Sequence, residues 1–243
     1  MASIKMNTIP RPIPIDTYYG NRFVATNTTY GLIRLAYGDN YSPLKPDQVS
    51  GGPDWIKSEV LDIEAKVDDS LVEREWKKLS YDERHKQAML MLRSLLADRF
   101  KLNVRHETKV LPVYVLLLAE GGPKFSEDDT QAKNWRVEGH GSGEIEAVSA
   151  DLGWVAGLAS GLLGNRIVLN KTGLHGHYSM TFQPPPLKPA ASDDLSAGSA
   201  APSDSSVSLL SAALEKQLGL RLESTTAPVD TIVIENIEQP TGN

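Results

Sequence analysis

A histidine and a glutamate stand side by side near the middle of the chain. His106 precedes Glu107, and Arg105, Thr108 and Lys109 flank the pair. An imidazole next to a carboxylate can act as a general acid or base when both groups lie in a cleft. On a strand, His106 and Thr108 would face one way, and Arg105, Glu107 and Lys109 the other. His106 and Glu107 are therefore candidate catalytic residues, and a solvated strand face with cross-strand ion pairs is the alternative.

Three further histidines could bind a metal ion. His175 and His177 are two residues apart on a predicted strand, so they would share one face. Such a pair can hold Zn²⁺ or Ni²⁺ when a third ligand completes the site, and His140, in a glycine-rich stretch, is the candidate for that third ligand. The alternative is an exposed hairpin with incidental histidines, and we expect no metal and no other cofactor.

Two short motifs match those of the penicillin-recognising enzymes. Lys171-Thr172-Gly173 is a K-T-G triplet, and Ser42 and Lys45 have the spacing S-x-x-K. In those enzymes a helical turn places the lysine beside the serine, whereas Pro43 and Pro46 favour a loop here. We therefore expect no site of that type, and we expect the K-T-G triplet to form a turn between two strands with Gly173 at positive φ.

A tryptophan on a glycine- and proline-rich loop is the first candidate for ligand binding. Trp55 follows Gly51-Gly52-Pro53, and from such a loop an indole can stack on a sugar or anchor a partner, or it can fill the core. Tyr114 and Lys171 are further binding candidates, together with His106. We expect these residues to meet in a groove between two halves of the chain.

The composition excludes several classes of function. The chain has 243 residues, 40% of them hydrophobic, which is enough for a packed core. With a net charge of −6, the chain lacks the excess of basic residues that binding to a nucleic-acid backbone requires. No run of apolar residues reaches the roughly 18 that a membrane span needs. The absence of cysteine excludes disulfides, thiolate metal ligands and cysteine nucleophiles. Nucleophile-elbow, phosphate-loop, dinucleotide-binding and zinc-protease motifs are missing, but a glycosidase pair of carboxylates stays open.

Hydrophobic periodicity predicts the helices and strands that position these residues. The helices cover 28–37, a segment that begins near Ser80, 151–163 and 209–218. Ser80 and Glu83 form a capping box, which precedes an apolar helix side with Ala88, Met91, Leu92, Leu95 and Leu96. Two strands are predicted after each helix, at 48–50 and 60–67, 102–110 and 113–119, 166–169 and 178–182, and 220–224 and 231–237. The segment 183–206 is rich in Pro, Ser and Ala, which predicts a flexible loop.

The second and fourth of these helix and strand units resemble each other. Residues 95–102 align with 213–220, and Pro112-Val113 aligns with Pro228-Val229. The two alignments differ in offset by two residues, which fall in a predicted hairpin turn and keep the same strand face buried. We interpret the chain as two related halves, 1–122 and 123–243, each with the order β-α-β-β-α-β-β. The predicted fold class is α+β, with mostly antiparallel sheets that are each covered by helices.

Several motifs, in their order along the chain, carry the pattern of a known family. They include RFVATN at 22–27, SGGPDWI at 50–56, LLADRFKL at 95–102, LPVY at 111–114 and KTGL at 171–174. The chain resembles a soil-associated family of uncharacterised proteins that is expanded in Acidobacteria and carries a domain of unknown function. Asn170 and Val110 depart from the pattern of that family, which has acidic residues at both positions.

The resemblance implies export and a role in binding. Members of the family commonly begin with a signal peptide, so we expect a periplasmic or secreted protein whose signal peptide is missing from this chain. Some members are fused to a membrane-bound sensor peptidase, which implies sensing outside the membrane. The main hypothesis is an extracytoplasmic module that binds a small molecule or saccharide, or an envelope protein, with no nucleic-acid partner. The alternatives are a hydrolase of glycosides or esters and a structural envelope protein.

Overall fold

The chain forms two compact units in a computed structural model that describes residues 2–7, 15–19, 22–39, 42–66, 78–79, 81–128, 135–187 and 203–240. Unit 1 contains residues 1–107 and 230–243, and unit 2 contains residues 108–229. The predicted halves, 1–122 and 123–243, have other bounds. The difference arises because Ile232 and Ile234, near the end of the chain, are buried in the hydrophobic core of unit 1.

The sheet of unit 1 is antiparallel, and its strand β5 alternates buried and more exposed side chains. The strands of this part are β1 (Ala2–Met6), β2 (Ile15–Tyr19), β3 (Arg22–Thr28), β4 (Val49–Gly51) and β5 (Val60–Lys66). Four of them form a sheet with the order β1-β5-β3-β2. In β5, Leu61 and Ile63 are buried and Glu64 is exposed, because successive side chains of a strand point to opposite faces.

Three helices complete the core of unit 1, namely α1 (Thr29–Tyr37), α2 (Trp55–Ser58) and α3 (Tyr81–Phe100). Helix α1 begins where predicted, because Thr28 Oγ1 accepts a hydrogen bond of 3.0 Å from Gly31 N. The predicted capping box of α3 depends on Ser80, which lies outside the described residues. Ala88, Leu92 and Leu96 are buried as predicted, whereas Met91 is 40% exposed and Met89 is buried in its place.

Unit 2 contains a second antiparallel sheet. After β6 (Asn103–Leu118) come β7 (Ser126–Glu127), β8 (Arg136–Gly139), β9 (Ile145–Ala150), β10 (Val168–Asn170) and β11 (Tyr178–Phe182). Strands β7, β11, β9 and β8 form a sheet in that order. Strand β11 has the bounds that the hydrophobic pattern predicts.

The helices of unit 2 are α4 (Leu152–Leu162) and α5 (Asp204–Leu218). Of the two candidate caps that precede α4, Asp151 and Ser149, Asp151 is the cap, since its Oδ1 accepts a hydrogen bond of 3.0 Å from Trp154 N. Helix α5 begins earlier than predicted, because Ser203 Oγ accepts a hydrogen bond from Ser206 N at 3.2 Å. The prediction of a flexible loop at 183–206 is therefore wrong at the C-terminal end of that segment, where α5 begins. Residues 188–202 of the segment lie outside the described residues.

Two long strands replace the predicted hairpins. Strand β6 and strand β12 (Leu220–Asn236) are each continuous, so the turns predicted within them are wrong. The hydrophobic pattern is interrupted because the middle of each strand is exposed: Val110 is 71% exposed, and Pro112 and Pro228 are exposed as well. Proline is tolerated in a strand where its missing N–H would face solvent.

Two short strands, β4 and β10, pair in parallel with the long strands β12 and β6. In unit 1, β4 pairs with residues 232–234 of β12, and in unit 2, β10 pairs with residues 114–116 of β6. Apart from the short helix α2 between β4 and β5, the order β3-α1-β4-β5-α3-β6 recurs as β9-α4-β10-β11-α5-β12. The predicted fold class, α+β with mostly antiparallel sheets, is confirmed. None of the helices in the described ranges has both the length and the apolar character that a membrane span requires.

Candidate functional site

An open groove of about 540 Å³ is formed by unit 2. The loop after β6, the short strand β7 and the adjacent strands β9 and β11 contribute to it, with Pro123, Lys124, Phe125, Ser126, Glu146, Ala147, Ser179, Met180 and Thr181. The antiparallel register pairs Met180 with Ala147 and Thr181 with Glu146. The volume is in the range of small-molecule sites in proteins.

Three hydroxyl groups and one aromatic ring line this groove. Ser126 and Ser179 are paired across β7 and β11, and Thr181 lies further along β11. None of the three hydroxyls makes a side-chain hydrogen bond to another described residue, so each can donate to or accept from a ligand. The ring of Phe125 packs edge-on against Tyr178 with 5.0 Å between centroids, which fixes its orientation.

The two charged residues of the groove are held by other protein groups. Lys124 Nζ donates to Glu215 O and Lys216 O, both at 3.1 Å, in the last turn of α5, where the helix dipole favours a cation. Glu146 accepts a hydrogen bond of 3.4 Å from Arg136 Nη2 and lies 3.6 Å from His140 Nε2. A ligand would therefore meet a polar surface whose charges are already compensated.

The S-x-x-K segment of unit 1 forms the predicted loop, followed by a 3₁₀ helix at Pro46–Gln48. Lys45 N donates to Gln48 Oε1 and Gln48 N to Lys45 O, both at 2.9 Å. Leu44 N donates to Arg34 O at 2.9 Å, and Arg34 Nε returns a bond of 2.5 Å to Leu44 O. Although this segment is not helical, Lys45 Nζ donates a hydrogen bond to Ser42 Oγ. The structure thus brings the serine and the lysine of the motif together.

Lys45 is the one charged side chain in the described part of the chain that is buried, with 8% exposed. Burial lowers the pKa of its amine from 10.5 to about 8, the guanidinium of Arg34 lowers it as well, and Asp39 opposes the shift. Burial also lowers the pKa of Arg34. Within the described residues, neither cation forms an ion pair with a carboxylate. Near pH 8 the Lys45 amine is therefore part neutral and part protonated.

The burial of Lys45 predicts a dependence of stability on pH. Between pH 8 and 10.5 the unfolded chain still binds the proton that folded Lys45 has lost, so the free energy of unfolding rises with pH in this window. The gain is at most about 3 kcal/mol, and the penalty is complete below pH 8. The measurement is the free energy of unfolding by urea at several pH values. We expect the rise with pH to be absent in Lys45→Met and present in Lys57→Met, which changes an exposed lysine of the same unit. An unchanged slope in Lys45→Met would contradict the buried amine.

Comparison with known proteins places this fold in a family. Residues 31–237 match the model of a family described as "Protein of unknown function (DUF3738)". The chain belongs to this family. The match runs from α1 to just beyond β12, so it includes both the groove and the loop of Ser42 and Lys45. No curated protein and no solved structure matches the chain.

The K-T-G triplet of this DUF3738 domain forms the predicted turn. Gly173 has φ of 74°, as expected. Asn170 Oδ1 accepts hydrogen bonds from Thr172 N at 3.1 Å and from Thr172 Oγ1 at 2.8 Å, and Leu174 N donates to Thr172 Oγ1 at 3.2 Å. A short amide side chain commonly stabilises a turn in this way. Lys171 is exposed and belongs to unit 2, whereas Ser42 and Lys45 belong to unit 1.

His106 and Glu107 make separate contacts on β6. Glu107 pairs with Arg105, which also donates through Nε to Glu235 at 3.0 Å across to β12. His106 is exposed and lies beside Tyr37, with 6.0 Å between the ring centroids. These contacts correspond to the alternative of a solvated strand face with cross-strand ion pairs. A catalytic role for His106 and Glu107 stays a prediction.

The predicted binding residues lie in both units and outside the groove. Trp55 is half-buried and packs against the core of unit 1, and the exposed His106 belongs to the same unit. Tyr114 is half-buried and packs against the core of unit 2, and Lys171 is exposed in the same unit. Their role in ligand binding stays a prediction.

The three candidate metal ligands do not form a cluster. Across the described ranges, no group of three His, Asp or Glu side chains comes together to hold a metal ion. His140 lies next to Glu146, as described above. His175 and His177 follow the K-T-G turn, where His177 O accepts a hydrogen bond of 2.7 Å from Asp128 N.

Sequence reasoning missed the groove residues Phe125, Ser126, Ser179 and Thr181. Their types are common and their spacing matches no motif, and only the pairing of β7 with β11 brings them together. One signal was present, since Phe125 closely follows Gly121-Gly122-Pro123, three residues of types that interrupt helices and strands. An aromatic residue after such a break is a candidate for a binding loop.

Proposed function

We propose that the chain is an extracytoplasmic ligand-binding module, and that the groove of unit 2 binds a neutral, hydroxyl-rich small molecule such as a saccharide. The observation that carries the proposal is the open groove of about 540 Å³ with three hydroxyls that have no side-chain partner among the described residues. The resemblance to an exported, soil-associated family that is expanded in Acidobacteria supports the location outside the cytoplasm.

The lining favours a neutral ligand over a charged one. Lys124 is bound to carbonyl groups of α5, and Glu146 is paired with Arg136 and His140, so neither charge lacks a partner. A charged ligand would lose its hydration without a free opposite charge to replace it. A sugar would instead exchange hydrogen bonds with Ser126, Ser179 and Thr181 and place a ring face against Phe125.

The test is calorimetric titration with neutral saccharides and with uronic acids and amino sugars of matched size. We expect a neutral saccharide to bind and Thr181→Val to weaken it roughly fivefold, since one hydrogen bond contributes about 1 kcal/mol. Phe125→Ala should weaken it more, because the ring contact is lost as well.

The matched control is Thr225→Val, which changes an exposed threonine of the same unit outside the groove. It should bind as the parent does. If no saccharide binds, or if Thr181→Val and Phe125→Ala bind with parental affinity, the proposal is wrong. Cleavage of the bound saccharide would support the hydrolase alternative.

A further inference from the structure

We propose that Ser42 is a nucleophile activated by Lys45, and that it accepts an acyl group from an activated ester. This activity goes beyond ligand binding in the groove of unit 2 and involves none of the groove residues. The substrate class is an ester, or another acyl compound with a good leaving group.

The geometry of the pair is that of a nucleophile and its base. Lys45 Nζ is hydrogen-bonded to Ser42 Oγ, which is the contact that proton transfer requires. Ser42 is half-buried, and so retains access to solvent, while Lys45 is buried. Burial destabilises the ammonium form, so at a given pH more of the Lys45 amine is neutral and able to accept the serine proton than in a solvated lysine.

The surrounding loop holds both members in place. Asp39 N donates to Ser42 O at 3.1 Å, and the backbone of Lys45 is tied to Gln48 in both directions. Gly38 allows the close approach of this loop, because a Cβ atom there would lie 2.4 Å from Ser42 O. The pair therefore does not depend on the helical turn that S-x-x-K motifs otherwise use.

The charges around the pair favour a neutral base and a negative oxygen. Arg34 on α1 and Asp39 act directly on Lys45, with Arg34 the stronger. Tyr30 on α1 is in turn influenced by Asp47 of the 3₁₀ helix and has Lys57 of α2 over its ring at 5.3 Å. Burial and the guanidinium of Arg34 lower the pKa of Lys45, and that guanidinium favours the negative charge that develops on Ser42 Oγ and on the acyl oxygen.

The reaction proceeds through an acyl-serine. The neutral amine of Lys45 takes the proton of Ser42 while Oγ forms a bond to the acyl carbon. The ester C–O bond breaks, and the leaving alcohol takes a proton from the Lys45 ammonium. Water then attacks the acyl-serine with Lys45 as its base, which releases the carboxylic acid and restores Ser42.

The experiment is incubation of the whole chain with para-nitrophenyl acetate, followed by measurement of phenolate release and by intact-mass and peptide mass spectrometry. We expect one acetyl group on Ser42 and, after subtraction of the buffer reaction, a rate that rises with pH with a midpoint of about 8. Ser42→Ala should abolish this labelling. Lys45→Met should slow it by roughly a hundredfold or more and remove the step near pH 8, because general-base catalysis contributes at least that much.

The controls are Ser58 and Lys5, two exposed residues of the same unit that lie outside the pair and its surroundings. Ser58→Ala and Lys5→Met should acylate as the parent does. Ser42→Cys keeps a nucleophile at the position and should still be acylated, which guards against loss of folding in the alanine variant. Acetyl groups on the Lys45 amine instead of Ser42, equal labelling of Ser42→Ala, or a parent that shows neither labelling nor phenolate release above the buffer reaction would each overturn the proposal.

Discussion

Gly219→Ala is expected to destabilise the protein by on the order of 3–5 kcal/mol, against about 1–2 kcal/mol for Gly122→Ala. The two glycines have nearly the same backbone conformation, with φ of 67° and 71°. A Cβ atom on Gly219 would lie 1.9 Å from Gly122 O, whereas one on Gly122 would have nothing within 4 Å. The pair of variants therefore separates the conformational cost from the cost of the close approach.

The close approach exists because the loop after β6 is bound to the end of α5. Ala119 N donates to Gly219 O at 2.9 Å, and Lys124 N donates to Leu218 O at 3.0 Å. The same loop carries Phe125 into the groove. Urea denaturation of both variants measures the change in the free energy of unfolding. Equal destabilisation by Gly219→Ala and Gly122→Ala would contradict the close approach of Gly219 to Gly122 O.

A third variant tests the corresponding position in unit 1. Lys101 follows α3 as Gly219 follows α5, and it has φ of 51°. Lys101→Gly should raise the free energy of unfolding by up to about 1 kcal/mol, because glycine adopts this conformation without a steric cost. A lower free energy of unfolding in Lys101→Gly would mean that the Lys101 side chain stabilises the fold by more than its positive φ costs.

Ile232→Ala is expected to lower the free energy of unfolding by about 2–4 kcal/mol and to loosen unit 1. Ile232 is 2% exposed and lies in one core cluster with Ile56 and Leu61. It also pairs with Val49 of β4 in parallel register. Its removal leaves a cavity among residues that precede it in the chain by more than a hundred positions.

Hydrogen exchange measures where the loosening occurs. In Ile232→Ala, exchange should increase in residues 22–66 and 81–107. Val229→Ala is the matched control, because Val229 lies on the same strand but packs with Val113 and Ile167 of unit 2. It should increase exchange in residues 108–229 instead. The same exchange pattern in both variants would contradict the division into two units.

Four helices and several strands could be predicted from local signals. Thr28 and Asp151 cap helices that begin where their sequence places them, and Gly219 ends α5 in a left-handed conformation. The alternation of β5 and the bounds of β11 follow from which residues are apolar. These features depend on neighbours within a few positions, so the residues themselves carry the information.

The candidate sites depended on contacts that no local pattern encodes. Ser126 meets Ser179 only because β7 pairs with β11. Lys45 reaches Ser42 because Arg34 and Gln48 hold the predicted loop in place, although its two prolines exclude the helical turn of other S-x-x-K motifs. The motif was visible in the sequence, but its geometry depends on the loop.

The amino-acid sequence by itself determined the fold class, the bounds of α1, α4, β5 and β11 to within a residue and the K-T-G turn, because caps, turns and alternation act over a few residues. Only the tertiary structure decided that β6 and β12 are continuous and that the end of the chain, with Ile232 and Ile234, belongs to unit 1. An exposed proline in the middle of a strand has the same local pattern as a turn. A continuous strand and a turn differ only in which distant strand pairs with the segments on either side of the proline. That pairing is decided when the hydrophobic cores of the units form.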